Sequence, residues 1–287
     1  MENWFWILGW SLSILAMAGN GFVIFIVCRK QRLRTKTNAL IVSLAVSDFL
    51  VGMIAVPSLF FCKMGSRCEL HVLDSYGIFF IRWLFMYASA ANMCSLVLDR
   101  NIAVVKPLEY LTFMKRRRVL QMILISWAIP ITLCVFVSLL WFHLKTPLSN
   151  TIISWFCLVL EVLVCGIVIY CFVCMLRVVW KHERSARILT KQLQFNHQVR
   201  RKTEGKSAVK MMAFVIGVFL VSYAIALRCS FVSILNGDKP CNDLHYKVPI
   251  LVLNSAINPL AYAIFKRDIK KEFKRLIYKN NRTEVAI

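Results

Sequence analysis

Lys115-Arg116-Arg117-Arg118 is followed at once by VLQMILISWAIPITLCVFVSLLWFHL (Val119–Leu144), a run without Asp, Glu, Lys or Arg. A helix rises about 1.5 Å per residue and the hydrocarbon core of a bilayer is about 30 Å thick, so roughly 20 apolar residues suffice to cross it. Val119–Leu144 is long enough, and the basic block marks one of its ends. A surface helix of a soluble protein needs only one apolar stripe, whereas this run is apolar all round. It is a membrane span.

The rest of the chain agrees. Of its 287 residues, 59% are hydrophobic and 17% charged, against roughly 45–50% and 25% for a soluble domain. Mean hydropathy is +0.65. The net charge of +22 would suit nucleic acid only on a folded soluble surface. Here the charge lies in blocks between apolar runs, so no nucleic-acid partner is expected.

Working outward from Val119–Leu144, spans are expected at 4–28, 37–62, 75–98, 119–144, 150–176, 211–236 and 248–265. The first run is too long for the apolar region of a signal peptide, and is expected to remain as a span. The fold class is an all-α membrane protein. A single seven-transmembrane helix bundle fills 1–287, with a short amphipathic membrane-surface helix over 266–278. In that last stretch Phe265, Ile269, Phe273, Leu276 and Ile277 recur every three or four positions, and lysines and arginines fill the other face. Such a helix lies on an anionic inner leaflet.

Lys and Arg also orient the bundle, because they gather in cytoplasmic loops. The loops after spans one, three and five, with the tail, hold 28 of them besides Arg100, against 5 in the opposite loops. The N-terminus is therefore expected outside and the C-terminus in the cytoplasm, as in a multi-pass plasma-membrane protein.

An ionisable group in hydrocarbon is costly and marks a functional candidate. Four lie within the spans: Asp48, Arg82, Glu161 and Arg228. An intramembrane enzyme lacks its parts. All five histidines fall in loops or at span ends, no H-E-x-x-H occurs, and Asp48 has no second aspartate in the spans. Nor does 248–265 hold a lysine for a retinal Schiff base. No paired Gly/Pro-broken segments in two halves suggest a transporter.

Several short patterns then fall in order. They are Gly19-Asn20-x-x-Val23, Leu44-Ala45-Val46-Ser47-Asp48, Asp99-Arg100 with Lys106-Pro107-Leu108, Trp127, and Asn254-Ser255-x-x-Asn258-Pro259-x-x-Tyr262. Each sits in the expected span or the loop after it. Over nearly its whole length the chain resembles a class A (rhodopsin-like) G-protein-coupled receptor. The second intracellular loop is similar to those of amine and adenosine receptors, while the short extracellular loops resemble the melanocortin and lipid-receptor branch.

The resemblance implies a cell-surface receptor that binds an extracellular ligand and activates a heterotrimeric G protein. It implies a sodium ion among Asp48, Ser89, Asn254, Ser255 and Asn258; a protonated Asp48 in a hydrogen-bonded network is the alternative. It implies no other cofactor. The switch residues would be Asp99, Arg100, Tyr170, Phe219, Pro259 and Tyr262, and Arg100, Pro107 and Leu108 would meet the G protein. Ligand contacts are expected at Arg82, Glu161 and Tyr223. Arg82 stands where amine receptors place an aspartate, so either the ligand is anionic or Arg82 pairs with Glu161.

The chain departs from the pattern at Asn101, which replaces the tyrosine after Asp99-Arg100, and at Ser222-Tyr223-Ala224-Ile225, which lacks the sixth-helix tryptophan and proline. Val162 stands where the fifth helix usually has a proline, and Ser75 where the third usually begins with a cysteine. These losses leave open a heptahelical protein that does not couple, such as a decoy or partner subunit; a transporter or channel is the remoter alternative. Four cysteines face the oxidising side, Cys62, Cys68, Cys229 and Cys241. They allow three pairings, of which local closure favours Cys62–Cys68 and Cys229–Cys241.

Overall fold

The computed structural model describes residues 3–64, 72–144, 147–193, 203–235, 244–266, 268–272 and 275. Seven of its helices are long and apolar enough to cross a membrane. They are α1 (Asn3–Arg29), α2 (Lys36–Met64), α3 (Val72–Val105), α4 (Arg116–Leu144), α5 (Pro147–Leu193), α6 (Thr203–Leu235) and α7 (Leu244–Phe265). A one-turn helix, Gln31–Leu33, joins α1 to α2, and a loop helix, Pro107–Phe113, follows α3. The chain is a seven-helix membrane bundle, as its sequence predicts.

Polarity in the bundle is inside out relative to a soluble protein. Asn20, Ser47, Asp48, Ser89, Asn92, Asn254, Ser255 and Asn258 are buried, while Leu120, Leu124, Ile125, Ile129, Leu163 and Val221 are exposed. In water such an outer face would aggregate. Against lipid it is the comfortable arrangement, and polar groups retreat to the interior where other helices satisfy them.

Helix α3 is the axis of the bundle, packed on α2, α4 and α5, while α1 and α6 close the circle on α7. Helix α4 is peripheral: only 11% of its most apolar window is buried, which fits a span whose sequence is apolar on every side. Trp127 ties it inward, donating from Nε1 to Ser43 Oγ at 3.0 Å, and Ser43 donates on to Asn92 Oδ1 at 2.6 Å.

Several helices outrun the expected spans, α3 to Val105 rather than 98 and α6 from Thr203 rather than 211 among them. Helix α5 begins at Pro147 rather than 150, since proline at a first helical position loses no hydrogen bond. It also runs on to Leu193, because no Gly or Pro interrupts the segment beyond Leu176. Helix α7 begins at Leu244 rather than 248, which brings Lys247 into the helix. After α7, residues 268–272 and 275 are helical, with Ile269 buried and Lys270 and Lys271 exposed. That is the amphipathic spacing expected; Phe273, Leu276 and Ile277 lie outside the described side chains.

Candidate functional site

One end of the bundle holds a cavity of about 290 Å³ between α3, α4, α5, α6 and α7. Its wall is mostly apolar, with the rings of Phe79, Phe80, Trp83, Tyr87 and Phe156 among it, and it includes Glu161, Ser230 and Lys247. Lys247 donates from Nζ to Ser230 Oγ at 3.1 Å, and Ser230 donates to Glu161 Oε2 at 3.2 Å. The Lys247 ammonium also lies 5.0 Å from the centre of the Trp83 ring, a distance at which a cation is attracted to the π face. Trp83 Nε1 is buried with no hydrogen-bond partner.

Of the ligand residues expected from sequence, Glu161 lines the cavity and Arg82 and Tyr223 are not among its lining residues. Arg82 is half-buried, its guanidinium 5.5 Å from the centre of the Phe79 ring and its Nε without a partner. Lys247 and Ser230 went unnoticed in the sequence. The signal was there for Lys247, a lysine set directly against the seventh apolar run; nothing singled out Ser230.

Midway along the bundle, Asp48 is fully buried. Ser89 donates from Oγ to its Oδ1 at 2.5 Å and Asn258 from Nδ2 to its Oδ2 at 2.8 Å. The Ser255 hydroxyl is within hydrogen-bonding reach of the same carboxylate. Asn254 lies one turn before Asn258 on the same face of α7. The side-chain carbonyl oxygens of both asparagines are buried and unpartnered. A carboxylate, hydroxyls and spare amide oxygens gathered from α2, α3 and α7 form a donor set that fits a hard cation.

Beside this network, Pro259 has no N–H to give the Ser255 carbonyl one turn earlier. Asn20 supplies the missing donor, reaching Ser255 O from Nδ2 at 3.0 Å. Gly19 makes room for the approach, since a Cβ there would stand 2.9 Å from Pro259 Cγ. The Gly-Asn pair of α1 and the Asn-Pro pair of α7 are thus two halves of one contact.

At the far end of α3, Arg100 is held by its own neighbour. Its Nη2 lies 2.5 Å from Asp99 Oδ2 and also donates to Thr37 Oγ1, while Tyr110 donates to Asp99 Oδ1 at 2.9 Å. Tyr110 sits on the loop helix that presents Leu108, which is 85% exposed. Phe219 and Tyr262 are fully enclosed, and the Tyr262 hydroxyl is buried without a partner. Tyr170, by contrast, is 70% exposed on the outer face of α5.

Two ends and a polar centre, strung along one helix, match a known pattern. The family model described as 7 transmembrane receptor (rhodopsin family) covers residues 19–262. The chain belongs to the rhodopsin family of seven-transmembrane receptors. It is 31% identical over 286 residues to the histamine H2 receptor of Cavia porcellus, spanning 92% of this chain and 77% of that one. It is 28% identical over 279 residues to the histamine H2 receptor of Canis lupus familiaris, with the same coverage. It is 24% identical over 321 residues to the octopamine receptor beta-2R of Chilo suppressalis, spanning 93% and 77%. These are receptors, and this family member is no enzyme.

In this receptor the departures from the family pattern have contacts of their own. Asn101 donates from Nδ2 to Cys171 O at 2.8 Å, linking α3 to α5. Tyr223 stacks on Phe219, with ring centres 4.3 Å apart and planes inclined by 22°. Helix α6 is continuous from Thr203 to Leu235 with no proline inside. Cys229 is disulfide-bonded; Cys62, Cys68 and Cys241 lie outside the described side chains. The cysteines within the spans, Cys94, Cys134, Cys157, Cys165, Cys171 and Cys174, are free, as small apolar packing residues would be.

Proposed function

We propose that this receptor binds an extracellular ligand in the cavity walled by Trp83, Glu161 and Lys247 and activates a heterotrimeric G protein at the Arg100 end. The N-terminus is outside and the Arg100 end cytoplasmic, where the basic face of 266–278 meets an anionic leaflet. One observation carries the reading. Helix α3 bears Trp83 on the cavity wall, Ser89 in the Asp48 network and Arg100 beside the exposed loop helix. A single helix with a residue in each place gives the three one physical connection.

At rest Arg100 is paired with Asp99. Activation frees it as α6 swings outward, and Tyr170 and Tyr262 turn toward the bundle axis. Leu108, after Pro107, offers the G protein an apolar plug. A sodium ion held by Asp48, Ser89, Asn254, Ser255 and Asn258 would neutralise the buried carboxylate, which low-dielectric surroundings otherwise penalise. It would favour the resting packing of α2, α3 and α7.

The relatives are named for the amines histamine and octopamine. This cavity carries a base, Lys247, besides its acid, so the anionic group expected of the ligand meets Lys247 rather than Arg82. The reading is tested by guanine-nucleotide exchange on a panel of Gα subunits in cells expressing the chain. Exchange above mock supports it. Silence across the panel, basal and with ligand libraries, returns the chain to the non-coupling alternative, and ion flux without exchange points to a channel.

A further inference from the structure

Glu161 and Lys247 are 4% and 8% exposed, yet they make no direct ion pair among the described residues and are joined only through the Ser230 hydroxyl. Opposite charges buried together gain most in direct contact, and each is penalised for every valence left unfilled. Held one hydroxyl apart, both keep bonding capacity. An ammonium has three donors and a carboxylate several acceptor sites, and Ser230 occupies one of each. Both side chains line the cavity.

Charge balance then selects the occupant. The acid and the base sum to zero. A simple amine would leave an unmatched positive charge at Lys247, and a simple acid an unmatched negative one at Glu161. A ligand carrying both an ammonium and a carboxylate fills both and leaves the cavity neutral. The remaining wall is mainly apolar, with four aromatic rings contributed by α3 and a fifth by Phe156, and about 290 Å³ sits at the lower edge of the roughly 300–1,000 Å³ usual for ligand pockets. The ligand is therefore small and carries a flat apolar group.

We propose that the cavity takes a small aromatic zwitterion of the amino-acid type, with its ammonium on Glu161, its carboxylate on Lys247 and its ring among Phe79, Trp83 and Phe156. This rests on the reading of the cavity as the ligand site. Trp83 contributes a stacking surface, and its ring already faces the Lys247 ammonium at 5.0 Å.

The test uses the full chain, purified in lipid nanodiscs, with three probes on one skeleton: phenylethylamine, 3-phenylpropionate and phenylalanine. Binding is read as a thermal shift, which needs no G protein, and nucleotide exchange is read separately. Phenylalanine is expected to stabilise the parent at concentrations about tenfold or more below the other two, the ordinary worth of one charge-assisted hydrogen bond. Glu161→Gln should move the preference to 3-phenylpropionate and Lys247→Gln to phenylethylamine. The double variant Glu161→Gln with Lys247→Gln keeps the cavity uncharged, which protects folding, and should lose the preference for the zwitterion. The proposal is overturned if phenylethylamine stabilises the parent as well as phenylalanine does. It is equally overturned if no probe does, or if the variants leave the rank order unchanged. Phenylalanine stabilisation without exchange supports the site while counting against the coupling reading, so the two failures are distinguishable.

Discussion

Asn258 on α7 and Asp48 on α2, 210 positions apart in the chain, meet through an Nδ2-to-Oδ2 hydrogen bond of 2.8 Å. Ser89 on α3 completes the contact at the other carboxylate oxygen. Three helices therefore converge on one acid. If a sodium ion sits there, Asp48→Asn removes the charge that attracts it while keeping the shape. Sodium should then lose its effect on thermal stability and ligand affinity in the variant and retain it in the parent. Parallel titrations against potassium at constant ionic strength check this, and superimposable curves for parent and variant would refute the ion site.

The Asn20 bond to Ser255 O makes a separate prediction. Asn20→Leu leaves the carbonyl that Pro259 orphans without its donor. An unsatisfied buried polar group costs about 1–3 kcal/mol, so the purified variant should melt several degrees lower. The same residue also donates to Ala16 O at 2.9 Å, within its own helix, which holds the side chain in place. A variant that melts with the parent would show that the Ser255 carbonyl has found another partner.

Leu108 bears no packing duty, being 85% exposed on a loop helix that Tyr110 anchors to Asp99. Leu108→Asp should abolish nucleotide exchange while surface expression stays near normal. Exchange that survives at matched expression would locate the G-protein contact elsewhere.

Much of this was legible before any coordinates. Spans could be read because lipid demands apolar runs of a minimum length, and the Asp48 network because its residues fall in short, spaced patterns. The pairing of Asp99 with Arg100 follows from adjacency. The cavity was only half legible. Glu161 stood out as an acid in an apolar run, but Lys247 looked like one more loop lysine, because a residue at a span boundary shows its direction only once the helix is built. Helical phase places Arg82 on a stripe with Ser89 and Arg100, yet the stripe alone does not tell which of its residues line a cavity, and Arg82 is not among them. The Asn20–Ser255 bond was invisible, since it serves a backbone carbonyl.

Lys266 follows the seventh span and donates to Asn38 Oδ1. Burial, and then the neighbouring Arg100 charge, push its ammonium down from 10.5 to about 7, against the opposing pull of Asp268 and Asp99. The unfolded chain therefore holds a proton that the folded one has released between those two values. Stability rises with pH wherever the unfolded state binds more protons. The receptor should gain thermal stability as pH climbs from about 7 toward 10.5, and lose that increment on acidification. Lys266→Met should flatten this slope, which melts in matched buffers between neutral and mildly alkaline pH will show; an unchanged slope would assign it to another group.

Arg82 supplies the last prediction. Its guanidinium rests near the Phe79 ring, and its Nε is buried without a partner. A half-buried cation with an unfilled donor is a liability to the fold unless something outside the described residues repays it. Even buried ion pairs are commonly replaced by apolar side chains of similar volume at no cost, and Arg82 has no such pair among the described residues to lose. Arg82→Met should therefore melt no lower than the parent. The probe preference set by Glu161 and Lys247 should also survive, because Arg82 is not among the residues lining the cavity. Both readouts come from one thermal-shift series with and without phenylalanine. A variant that folds normally but loses the phenylalanine shift would make Arg82 the anionic anchor and take that role from Lys247.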